Sequence, residues 1–114
     1  MKKKIYIHIG NFKTGSTLIQ KFLFLNKKLL AKKNIDTIYE KQIYFKHNIN
    51  NLLLFKHFEK LDEKKIFNYL KKNKLKHLII SSEYFSTLSL EKKKIRFIKK
   101  IVHKLGYQPK IIFF

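Results

Sequence analysis

The chain has 114 residues, which limits it to one small domain, and 45% of them are hydrophobic, enough for a folded core rather than a disordered tail. It contains no cysteine, which excludes disulfides, thiolate metal sites and a cysteine nucleophile. Lys and Arg number 27 against 7 Asp and Glu, a formal net charge of +20, and no apolar run reaches membrane-spanning length.

In chain order, Ile5 to Ile9 reads as a short buried strand and Gly10 to Gly15 as a tight turn. Ser16 and Thr17 then open a helix expected to run to about Lys33, with an inward stripe of Ile19, Phe22, Leu23, Leu29 and Leu30 between lysines. Asn34 is a left-handed stop, and Ile35 to Tyr39 a short extended piece. Tyr44 to Asn51 carries no clear pattern, whereas Leu52 to Phe58 is apolar and helical. Asp62 caps the next helix, with Phe67 and Leu70 inward and Asn73 at its end. His77 to Ser81 is a second buried strand. Ser89 caps a helix over Leu90 to Leu105 that turns Ile95, Ile98, Ile101 and Val102 inward and stops at Gly106; Gln108 to Phe114 is the last strand. Strands alternating with helices predict an α/β fold: one domain over residues 1–114, a parallel β-sheet flanked by helices in three layers, with right-handed crossovers.

The chemistry concentrates at the first turn. A strand, a glycine turn and a helix N-terminus in that order build a pocket for an anion, because the amides of the first helical turn are unpaired and the helix dipole adds partial positive charge. Lys13 supplies a full charge beside them. The nucleotide-triphosphate loop reads G-x-x-x-x-G-K-[ST], with lysine after the second glycine; here Lys13 precedes Gly15. The dinucleotide fingerprint G-x-G-x-x-G also fails, since the second residue after Gly10 is Phe12. The same residues also fit an ordinary strand-to-helix turn with a solvated lysine.

The run His8-Ile-Gly-Asn-Phe-Lys-Thr-Gly-Ser-Thr17 resembles the loop with which sulfotransferases hold the 5′-phosphosulfate of 3′-phosphoadenosine 5′-phosphosulfate (PAPS). Leu18-Ile-Gln20 continues as in bacterial members, and Leu78-Ile-Ile-Ser-Ser-Glu-Tyr-Phe-Ser86 is a second, weaker matching block. The resemblance implies a P-loop-like fold, PAPS as sulfuryl donor without a metal, a hydroxyl acceptor such as a sugar, and a donor loop of Gly10, Lys13, Thr14, Gly15, Ser16 and Thr17. The family binds the 3′-phosphate with an Arg and a Ser just after a later strand. Lys110 to Phe114 looks like that strand, with neither residue after it. The chain therefore reads as the N-terminal portion of a sulfotransferase domain, incomplete at the C-terminus, and alone is expected to turn over little or no substrate.

Sulfuryl transfer, like phosphoryl transfer, needs in-line positioning of acceptor, sulfur and leaving oxygen, and stabilisation of charge on the leaving side. Lys13 is suited to that charge, and the amides from Thr14 to Thr17 to the phosphate. Glu83 follows the second strand and is a candidate base for the acceptor hydroxyl, a role the family gives to Glu or His; its alternatives are pairing with a lysine or orienting Lys13. His47 is the other candidate base, against a surface or structural role. His8 reads as a core or supporting residue, Ser81 and Ser82 as shaping the loop, and Tyr84 and Phe85 as core or as a surface for substrate or adenine. The lysines spread along helix faces and Arg96 stands alone, so a nucleic-acid partner is not expected, although a basic nucleic-acid-binding module stays open as an alternative. So does an atypical phosphate-loop nucleotide enzyme, which would need a Mg²⁺-binding Asp that neither later strand offers. A cytoplasmic location is expected.

Overall fold

A computed structural model describes residues 3–9, 16–41, 49–82, 84–85 and 92–113. Along them run β1 (Lys3–Ile9), α1 (Ser16–Leu25), α2 (Lys27–Lys32), β2 (Ile35–Thr37), α3 (Leu52–Glu59), α4 (Glu63–Leu70), β3 (His77–Ser82), α5 (Lys92–Lys104) and β4 (Tyr107–Phe113). The strands form one sheet in the order β2-β3-β1-β4, and every pairing is parallel. The radius of gyration is 13.2 Å, that of a compact chain of this length.

The strand order dictates where the helices go. The connection from β1 to β2 passes over β3 in one direction; those from β2 to β3 and from β3 to β4 run in the other. Right-handed crossovers then place α1 and α2 on one face and α3, α4 and α5 on the opposite face. Packing agrees. Ile5, Leu78 and Ile80 of the central strands join Leu54 and Phe58 of α3, Ile66, Tyr69 and Leu70 of α4, and Ile98, Ile101 and Val102 of α5 in one core. The alternation of β1 turns Ile5, Ile7 and Ile9 towards that core and His8 towards α1, where Gln20 and Leu23 are buried.

Several local signals act as their chemistry requires. Asn34 has φ of 64° and Gly106 φ of +86°, the left-handed turns that end α2 and α5. The Asp62 side chain accepts from the amide of Lys65 at 3.1 Å, closing the first turn of α4. The extended piece after Asn34 is a genuine sheet strand, because Ile35, Asp36 and Thr37 pair with His77, Leu78 and Ile79.

Three expectations need correction. The first helix is not continuous to Lys33: it breaks at Asn26, whose backbone leaves helical geometry (φ −109°, ψ 23°) and whose side-chain amide adds a second donor, at 2.9 Å, to the Phe22 carbonyl that its own backbone amide bonds at 3.0 Å. Its stripe is only partly inward. Leu23 is buried and Ile19 and Leu30 are half-buried, but Phe22 and Leu29 are 53% and 51% exposed, because the sheet lies under the side of the helix that carries Gln20 and Leu23. On α4, Leu70 is inward but Phe67 is 39% exposed; the inward residues are Ile66, Tyr69 and Leu70, spaced i, i+3, i+4, and Phe67 lies at the rim under the Lys71 ammonium. The proposed cap Ser89 lies outside the described residues.

Candidate functional site

The ends of the strands define the place. Ile9, the last residue of β1, is the register partner of Ser82, the last residue of β3, and also of Phe113 at the end of β4. The carboxyl ends of three adjacent parallel strands thus share one edge of the sheet. The chain leaves β1 towards β2 and leaves β3 in the opposite direction, so the crevice between β1 and β3 is the switch point at which open α/β sheets bind ligands. Helix α1 begins at Ser16, six residues beyond Gly10 in the sequence.

Among the candidate residues, Ser16 and Thr17 are the first two residues of α1, with helical backbone. Gly10, Lys13, Thr14, Gly15, His47 and Glu83 lie outside the described residues. The described chain approaches three of them closely in sequence: Gly10 follows Ile9, Gly15 precedes Ser16, and Glu83 follows Ser82.

Beneath this edge sits a buried polar floor. His8 Nδ1 lies 2.7 Å from the Ser81 hydroxyl, both residues essentially without solvent exposure and paired in register across β1 and β3. Asn51 clamps the end of β3: its amide donates to the Ser81 carbonyl at 2.7 Å, and its side-chain oxygen accepts from the Ser81 amide at 2.9 Å. The Asn51 side-chain nitrogen donates to the Ile38 carbonyl at 2.9 Å and to the Tyr69 hydroxyl at 2.8 Å. Two residues earlier, the Ile49 amide donates to the carbonyl of buried Gln20 in α1 at 2.9 Å. The segment 49–51 therefore ties the end of β3 to α1, to the residue after β2 and to α4. The ties to Ser81, Ile38 and Gln20 each satisfy a backbone group that burial would otherwise leave costly, and the remaining one holds the Tyr69 hydroxyl.

Two helix N-termini are occupied by the chain's own carboxylates. Glu40 accepts from the Leu53 amide at 2.8 Å and the Leu54 amide at 3.4 Å at the start of α3, and Asp62 does the same for α4. Glu40 also accepts the Tyr69 hydroxyl. Burial first, and the Glu40 charge next, raise the Tyr69 pKa above the ordinary tyrosine value, so the phenol remains the donor.

His8 is a core residue, as the sequence suggests, and Ser81 is buried beside it; the loop that Ser81 and Ser82 are expected to shape lies outside the described residues. Phe85 is core: it is 2% exposed and packs on Phe55 and Phe58 with ring centroids 6.4 Å and 6.0 Å apart, and partly buried Tyr84 packs against the same cluster. Asn50 and Asn51 escaped the sequence reading, as did the burial of Gln20. The only signal for the two asparagines was their pairing directly ahead of an apolar helix, which reads equally well as a solvated loop. Among the described residues no His, Asp and Glu cluster could hold a metal, and no helix is long and apolar enough to cross a membrane. Compared with protein-family models, with curated proteins and with solved structures, the chain shows no match.

Proposed function

We propose that the chain carries the donor site of a PAPS-dependent sulfotransferase, a P-loop-like α/β domain that moves a sulfuryl group from PAPS to a hydroxyl acceptor such as a sugar. In this reading the amides from Thr14 to Thr17, at and before the start of α1, hold the 5′-phosphate. The Lys13 ammonium neutralises the charge that grows on the bridging oxygen as the S–O bond breaks. Glu83 takes the acceptor proton, with His47 as the other candidate.

The observation that carries the reading is the register pair of Ile9 and Ser82 together with the start of α1 at Ser16. It brings Ile9 and Ser82, from which the two matching blocks continue to Gly10 and Glu83, to the same edge of two neighbouring parallel strands; in this reading a bound phosphosulfate would meet Glu83 there. The polar floor of His8, Ser81 and Asn51 supports it by fixing the ends of both strands.

Isothermal titration of PAPS into the wild-type chain and into Lys13→Ala tests the reading. One charged hydrogen bond contributes roughly 1.5–3 kcal/mol, so the variant should bind about ten- to a hundredfold more weakly. Equal affinity in the two proteins would remove the loop assignment. Nucleic-acid affinity that falls steeply with salt, is indifferent to Lys13→Ala and comes without PAPS binding would replace it with the basic-module reading.

A further inference from the structure

The outer face of α1 and α2 inverts the usual pattern of a surface helix. Leu18, Phe22, Leu25 and Leu29 are 73%, 53%, 66% and 51% exposed. At 100° per residue Leu18, Phe22 and Leu25 fall within about 60° of arc, an apolar ridge on α1, and exposed Leu29 adds to the apolar surface on α2 beyond Asn26. Lys21, Lys28, Lys32 and Lys33 are exposed on and at the end of the same two helices, and no acidic residue occurs between Ser16 and Lys33.

We infer that this ridge docks on an anionic lipid bilayer, Leu18, Phe22, Leu25 and Leu29 entering the interface while the flanking lysines meet lipid headgroups. The occupant follows from charge and shape. A second copy would set lysine against lysine along the whole contact, which like-charge repulsion opposes. A nucleic acid would satisfy the lysines but leave the apolar ridge against phosphates. A ridge is convex, and an apolar convex strip whose charged neighbours on its own helices are all lysines matches a headgroup surface over an acyl layer on both counts. This surface does not depend on the sulfotransferase reading.

The chain has no tryptophan, so Phe22→Trp installs a single fluorescent reporter on the ridge. Phe67→Trp, at the 39% exposed rim of α4, is the matching control. With vesicles of phosphatidylcholine and phosphatidylserine the Phe22→Trp emission should shift to the blue, the Phe67→Trp emission should not, and phosphatidylcholine alone should shift neither. Leu18→Ser combined with Leu25→Ser leaves charge and core untouched and should lower the vesicle partition coefficient roughly tenfold or more. Four results overturn the inference. One is sedimentation with anionic vesicles without a blue shift, or undiminished in the double variant, which is diffuse electrostatic adsorption. Another is a blue shift that grows with protein concentration and no vesicles, which is self-association. The third is no vesicle binding at all, which leaves the ridge to a protein partner. The last is an equal shift in the Phe67→Trp control.

Discussion

Asn51→Ala tests the polar floor. Its side chain makes three hydrogen bonds, to the Ile38 carbonyl, the Tyr69 hydroxyl and the Ser81 amide, at 2.9, 2.8 and 2.9 Å, and the residue is fully buried. Alanine removes all three. Tyr69 keeps Glu40 as acceptor, so it is not stranded. The Ser81 amide and the Ile38 carbonyl lose this partner in residues 0% and 6% exposed. At roughly 1–3 kcal/mol for each buried group left unsatisfied, the loss is about 2–6 kcal/mol. That is a large part of the roughly 5–15 kcal/mol that holds an ordinary domain together. Urea denaturation followed by far-ultraviolet circular dichroism measures it, with Asn73→Ala as comparator. Asn73 donates to the Tyr107 hydroxyl and accepts from the Leu75 amide in a partly buried site, so its loss should cost only about 1–2 kcal/mol. An Asn51→Ala protein within about 1 kcal/mol of wild type would refute the idea that segment 49–51 braces the end of β3.

Asp62→Ala should lower stability by about 1 kcal/mol through loss of the α4 cap, read from the urea midpoint; no change would mean the Lys65 amide is served equally well by water. Gly106→Ala should cost about 1–2 kcal/mol by backbone strain alone, since a Cβ there meets nothing within 4 Å, and Gly106→Asn should recover part of it. His77 Nδ1 accepts the Lys4 amide at 2.9 Å, and burial first, then Lys76 and Lys4, lowers its pKa below 6.5. The unfolded chain therefore takes up the proton first. The His77 contribution is present in full above 6.5 and is lost as pH falls through that value towards the folded pKa. His77→Gln should flatten that part of the stability profile, and an unchanged profile would refute the coupling.

How much of this was legible in the sequence varies with the kind of signal. Backbone-limited residues declared themselves: Asn34, Gly106 and Asp62 each have a local chemistry that admits few structures, and each adopts it. The buried strands were legible because His77 to Ser81 and Ile5 to Ile9 are short apolar runs, and alternation with helices implied the parallel sheet. The direction of α1 was not. Apolar residues lie on more than one side of that helix, so periodicity cannot say which side meets the sheet, and Phe22 and Leu29 fell outward. The floor was illegible for a different reason. Asn51 and Gln20 are polar residues whose burial depends on partners far along the chain, the Ser81 amide and the Ile49 amide, and no local pattern records such pairings.

The proposed donor loop between β1 and α1 is tested most directly by amide NMR. Titrating PAPS into the isotopically labelled protein should move the amide resonances of Thr14, Gly15, Ser16 and Thr17 most, with a second set of changes at Ser82 and Glu83 across the strand edge. Shifts spread over the lysines of α4 and α5, with residues 10–17 unmoved, would contradict it.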